Sequence, residues 1–268
     1  MSRKRNRRPL GAGGVPVWRR IAIATAIGVV GQLVFLFAYQ TILAEHCARR
    51  AQQAEAAKRP PLAGQWAQRS LAMNPRQGYA AFFLGVAERE QGRNAQAAAA
   101  FQRAVATMPH RAGPLSELAA CEEKLGNVAA AADHLAEALA IEPLPADGGA
   151  PRARLGRLLF AQGHWADGVA CFRAGVADSP QSRFLFDGLT VGYDRLRLPA
   201  LAVASALALL ESPQFAARAC EHLLRFARDP ASRPTIVALT QAVERGLRPD
   251  DPRRSAITNL VKSLAAEP

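Results

Sequence analysis

Aromatic residues are scarce in this chain, at 6% of the sequence, and lysine is scarcer still. Only Lys4, Lys58, Lys124 and Lys262 occur, so nearly every base is an arginine. Half of the 268 residues are nonetheless hydrophobic, and alanine alone supplies about a fifth. That mixture excludes a wholly disordered or collagen-like chain and argues against a β-sandwich; it favours helices packed through small side chains. The alanine and arginine bias also points to a GC-rich bacterial genome. The length suits one ordinary domain or two small ones.

Catalytic and metal signatures are missing too. The four cysteines, Cys47, Cys121, Cys171 and Cys220, form no CxxC pair and no zinc-spaced cluster with histidine. They read as small apolar residues in helices, with a disulfide in an oxidising compartment as the alternative. His46, His110, His134, His164 and His222 are scattered, with no HExxH. There is no phosphate-binding GxxxxGK[ST], no GxSxG and no GxGxxG after a strand. Gly11, Gly13 and Gly14 read as linker, and Glu122-Glu123 and Asp133-His134 as charges on helix surfaces. No enzyme, no cofactor and no metal are expected.

Acidic residues are absent from the first 44 positions, where Arg3, Lys4, Arg5, Arg7, Arg8, Arg19 and Arg20 stand alone. The other 27 bases are nearly matched by 22 acids, so the net charge of +12 is largely a property of this tail. A nucleic-acid partner is therefore not expected on charge, because the excess sits where a membrane explains it as well. Residues 21–43, IAIATAIGVVGQLVFLFAYQTIL, carry no charge. At about 1.5 Å per residue they reach roughly 34 Å, enough to cross a hydrocarbon layer of about 30 Å. Trp18 and Tyr39 suit its two interfaces. The stretch is longer than a cleaved signal's apolar core and ends in no small-x-small site, so a retained anchor is expected. Seven bases before it, against Arg49, Arg50, Lys58 and Arg59 after it, place the N-terminus in the cytoplasm and the remainder across the membrane.

Residues 44–61 read as a helical stalk ended by Pro60-Pro61. Beyond it a period emerges. Asn74-Pro75, Met108-Pro109 and Glu142-Pro143 lie 34 residues apart, with Ser179-Pro180 and Ser212-Pro213 following after 37 and 33. In the same register fall Leu84-Gly85, Leu118-Ala119 and Leu155-Gly156, then Gly92, Gly126 and Gly163. Ala97, Ala131 and Gly168 follow, then Phe101, Leu135 and Phe172, then Ala104, Ala138 and Gly175.

The segments AFFLGVAEREQGRNAQAAAAFQRAVATMP, LSELAACEEKLGNVAAAADHLAEALAIEP and LGRLLFAQGHWADGVACFRAGVADSP thus resemble the tetratricopeptide repeat family. After the uncharged stretch, read as a transmembrane helix, the resemblance implies an all-α solenoid of helix hairpins, each burying its apolar face only against neighbours. Repeats are expected at about 75–109, 110–143 and 144–180, with a partial unit at 62–74 bearing Ala63 and Trp66 on its packing face. Ala146-Asp147-Gly148 reads as an insertion lengthening one turn. A degenerate unit is expected at 181–213, where Leu189 fits but Pro199 interrupts and no turn glycine occurs. Residues 214–268 are expected to supply capping helices.

Such repeats offer a concave surface lined by their first helices, which holds a peptide or partner helix. In this register the candidates are Tyr79, Phe82, Val86 and Arg89, then Ser116, Ala120 and Glu123, then Arg157 and Phe160, then Phe184, Asp187 and Asp194. Phe82 and Phe83 are alternatively core residues. The family's carboxylate clamp of Lys, Asn and Arg does not carry over, since Phe82, Val86 and Glu117 stand at its places. The expected function is a scaffold or assembly factor anchored in the bacterial inner membrane, its repeats in the periplasm, holding a segment of another envelope protein. The alternative is an accessory subunit of a large membrane complex, held through the transmembrane helix.

Overall fold

The computed structural model describes residues 17–143 and 149–266, and among these it contains thirteen α-helices and no strand. The first, α1 (Val17–Ala56), runs unbroken for 40 residues. By length and composition it is the one described helix able to cross a membrane, and none of its most apolar window is buried. Its far end behaves differently. Ala44, Cys47, Ala48, Ala51 and Ala54 are buried, so residues 44–56 are not a free stalk. They pair with α2 (Pro60–Met73), and the Ser70 hydroxyl donates to the Ala44 carbonyl at 2.6 Å in a buried bond.

Four more pairs follow: α3 (Gly78–Glu90) with α4 (Asn94–Thr107), α5 (Ala112–Lys124) with α6 (Val128–Ile141), α7 (Ala150–Ala161) with α8 (Trp165–Asp178), and α9 (Phe184–Arg195) with α10 (Pro199–Leu209). Each pair also packs on the next, which is the arrangement the period implied. The tail with Gly11, Gly13 and Gly14, and the insertion Ala146-Asp147-Gly148, lie outside the described residues.

All five hairpins close with the same turn. One residue takes the left-handed conformation, and the next amide donates back five positions: Arg59 to Ala54, Arg93 to Glu88, Asn127 to Glu122, His164 to Leu159 and Leu198 to Tyr193, each at 2.9 Å. The left-handed position is glycine in three of them, Gly92, Gly126 and Gly163. In the first and fifth it is Lys58 (φ 54°) and Arg197 (φ 56°), which is why neither turn shows a glycine in the sequence. Pro60 and Pro199, read as a stop and an interruption, instead open α2 and α10, where a missing N–H costs nothing. The first unit is therefore a complete hairpin, and the fifth is a regular one.

Within a hairpin, size on one helix answers size on the other. Phe101 and Phe172 are fully buried, and a Cβ built on Gly85 or Gly156 would lie 2.6 Å from the facing ring. Where the filler is the smaller Leu135, the facing position is Ala119. Close approach and ring are thus one device: the glycine admits the ring, and the ring leaves no room for even a methyl.

Three further helices complete the chain: α11 (Pro213–Phe226), α12 (Arg233–Gly246) and α13 (Arg254–Ala266). With α10 they share one core that includes Leu209, Leu210, Leu223, Ile236, Ile257 and Leu260.

Candidate partner-binding groove

Two cavities, of about 460 and 560 Å³, share Phe82, Ala112, Gly113 and Glu142 and so form one trough over the first helices of the early hairpins. Its two ends differ. Tyr79, Phe82, Phe83, Met108, Pro114 and Ile141 line the apolar end. Arg89, Ser116, Glu117, Ala120, Arg154 and Arg157 line the other. Tyr79 is exposed and carries the Arg111 guanidinium over its ring at 5.6 Å. Phe83 is buried in the core yet reaches the apolar end, and the half-buried Phe82 touches core and trough alike.

Of the residues expected to face a groove, Tyr79, Phe82, Arg89, Ser116, Ala120 and Arg157 are brought together here. Six are not. Val86 is buried against Ala97, Ala98, Phe101, Leu118 and Cys121, because the apolar stripe of α3 is wide enough to turn that position inward. Phe160 stacks between Trp165 and Phe172, with centroid distances of 5.0 and 5.3 Å, and fills the gap left by Gly168 and Gly192. Phe184 packs on the cluster holding Ala153, Leu185 and Leu189.

The acids among the candidates are already bonded. Glu123 accepts from Arg154 at 2.6 Å, Asp194 from Arg225 at 2.7 Å, and Asp187 pairs with Arg218 at 2.8 Å and His222 at 3.2 Å. Arg89 is bound to Glu117 in the same fashion. The Arg89 and Glu123 pairs join successive first helices, and the Asp187 and Asp194 pairs join α9 to α11, so the charges read as grips for a partner are struts between neighbouring elements. Arg157 is the exception: it is exposed, and no acid of the described residues pairs with it. Asp194 lies instead in a separate cavity of about 400 Å³ with Arg197, Leu198 and Phe226.

Gln52, His110, Arg111, Glu142 and Arg154 also line the trough and went unrecognised in the sequence. Gln52 was hidden because it lies inside the segment read as stalk. Glu122 is likewise no surface charge; it is buried and meets His134 Nδ1 at 2.7 Å.

The remaining reactive groups are quiet. All four cysteines are free thiols. Burial pushes the Cys121 and Cys171 thiols up from their ordinary range and Cys220 up to about 11, so little thiolate forms near neutral pH. Among the described residues no three His, Cys, Asp or Glu side chains converge as a metal site.

No protein-family model and no curated protein matches this sequence. Solved structures do match it. A crystal structure of MamA protein superposes with a TM-score of 0.58 at 15% identity, over 66% of this chain and 94% of its own. The structure of YrrB, described as a TPR protein with an unusual peptide-binding site, gives 0.55 at 16% identity over 59% and 80%. Pseudomonas aeruginosa PilF gives 0.54 at 15% identity, over 82% of this chain and 98% of that one. The fold is that of tetratricopeptide-repeat proteins. At such low identity the likeness concerns the backbone alone. It agrees with the five tetratricopeptide-type hairpins.

Proposed function

We propose that this chain is a membrane-anchored scaffold that holds an extended or helical segment of another protein in the trough between Tyr79 and Arg157. The observation that carries this reading is the trough itself: an apolar end, a charged end, and at least one arginine not engaged by the solenoid. An amphipathic segment suits that division. A structural neighbour described as a TPR protein with an unusual peptide-binding site supports a peptide-like partner. The uncharged residues 21–43, none of them buried, support an anchor, and the basic tail supports a cytoplasmic N-terminus with the repeats on the periplasmic side of a bacterial inner membrane. Nothing in the trough suggests catalysis.

Tyr79→Ala combined with Arg157→Ala tests the groove. Aromatic and arginine side chains dominate interface hot spots, so partner binding is expected to weaken by about 1 kcal/mol or more while the solenoid's melting changes little. Unchanged retention by that variant, with retention lost when residues 21–43 are exchanged for an unrelated membrane helix, would favour the accessory-subunit reading. The orientation has its own test. A reporter active only outside the cytoplasm, fused after Pro268, is expected to be active, and activity of a cytoplasmic reporter instead would reverse the topology.

A further inference from the structure

We propose that the end of the first two hairpins nearest residue 43 is a docking surface for anionic lipid headgroups, which seats the solenoid on the bilayer its own helix enters. This rests on the reading of residues 21–43 as a membrane span, and goes beyond it.

The geometry begins with the continuity of α1. Residues 44–56 are the first helix of the first hairpin, so no flexible joint separates the apolar stretch from the solenoid. The 34-residue offset maps Leu43 onto Gln77 and then onto Arg111, which puts the α2–α3 and α4–α5 loops level with the end of that stretch. Packing agrees with the offset. Ala48 shares a cluster with Ala80, Ala81 and Ala104, the position of Gly78 abuts Thr107 and Met108, and Ser70 binds the Ala44 carbonyl. The Arg103 guanidinium reaches the Pro75 carbonyl at 3.5 Å, which ties the two loops' ends together.

The charge on this end is one-sided. Positions 44–50, 69–77 and 103–112 carry Arg49, Arg50, Arg69, Arg76, Arg103 and Arg111 against the single acid Glu45, which pairs with Arg49. All six arginines are exposed. The opposite ends of the same helices, positions 55–59, 88–93 and 122–124, hold five acids and five bases. The bias also stops after two hairpins: the position occupied by Arg69 and Arg103 becomes Glu137 in the third. Ordinary solvation of a helical surface requires no such polarity. A negatively charged plane at the level of residue 43 accounts for it, and arginine is the side chain best suited to phosphate. Two of the six add amphipathic rings beside them, Arg69 over Trp66 at 4.9 Å and Arg111 over Tyr79.

The test uses the full chain in nanodiscs of phosphatidylcholine alone or with phosphatidylglycerol added, followed by amide hydrogen exchange. Anionic lipid is expected to slow exchange in segments 74–77 and 108–112 by about five-fold or more. The slowing should fade as salt shortens the screening length from about 10 Å at 0.1 M to about 3 Å at 1 M. It should vanish in Arg76→Glu/Arg103→Glu/Arg111→Glu, and in the milder triple Gln variant, while the amides around Phe101 stay protected and so report an intact fold. The Arg157→Ala variant should keep it. Three results overturn the proposal. Protected residues 21–43 with loops indifferent to lipid charge would sink it and leave the membrane span standing. Rapid exchange through residues 21–43 would sink both. Lipid-dependent protection that survives in the triple variants would remove the arginines from the account.

Discussion

Between α3 and α8 the buried positions are mostly alanine and glycine around a few rings, and they fall into small clusters, each confined to adjoining helices. From α10 to α13 they are largely branched aliphatics in one cluster spanning four helices. The first region is held by nearest neighbours and so behaves as a linear array; the second behaves as a small globular core. The trough opens over the array, whereas toward the C-terminal end Asp187 and Asp194 are drawn into ion pairs with α11.

Core truncation should give the largest effects and should break the two regions differently. Phe101→Ala and Phe172→Ala are each expected to cost about 3–5 kcal/mol, and Ile257→Ala about 2–5 kcal/mol. Hydrogen exchange separates the regions: Phe101→Ala should loosen α3 to α5 and spare α10 to α13, whereas Ile257→Ala should loosen α10 to α13 together. Uniform loosening by both would erase the distinction.

The next effect concerns the size match inside the array. Gly85→Ala is expected to cost about 1–3 kcal/mol by forcing the Phe101 ring out of place. In the hairpin filled by Leu135, Ala119→Gly should cost only about 0.5–1 kcal/mol through helix propensity. Equal costs in thermal melts would show that ring and glycine are independent. Smaller still, and opposite in sign, are Lys58→Gly and Arg197→Gly, each expected to stabilise by about 0.5–1 kcal/mol by relieving a left-handed side-chain residue. At the bottom of the scale, Asp194→Asn should change stability by about 0–1 kcal/mol, since both partners of that exposed pair stay hydrated. Gln102→Ala, a surface control, should stay within about 0.5 kcal/mol.

What was legible in the sequence follows from which signals are local. The 34-residue period, the turn glycines and the fillers Phe101, Leu135 and Phe172 recur at fixed spacing, and so they placed three hairpins directly. The first hairpin was hidden because its turn uses Lys58 and its second helix opens on Pro60, both of which mimic the end of a helix. The fifth was disguised in the same way by Arg197 and Pro199. The trough was only half legible. Tyr79 and Arg157 could be phased onto the concave face, but the pairings of Arg89, Glu123, Asp187 and Asp194 depend on tertiary stacking between residues 28 to 35 positions apart. Val86 failed for a different reason. Its helix is apolar over so wide an arc that periodicity does not say which edge faces out.

The unbroken α1 has a further consequence, which concerns direction. A helix with no joint acts as a shaft, and the compass bearing of the trough in the plane of the membrane is set by the angular phase between its two halves. One alanine inserted within residues 21–43 would leave the packed face of residues 44–56 intact. It would turn the intramembrane face by about 100° relative to the trough and lengthen the shaft by about 1.5 Å. A partner engaged both within the bilayer and in the trough would feel that rotation as a misaimed handle. One engaged by the trough alone would not notice it.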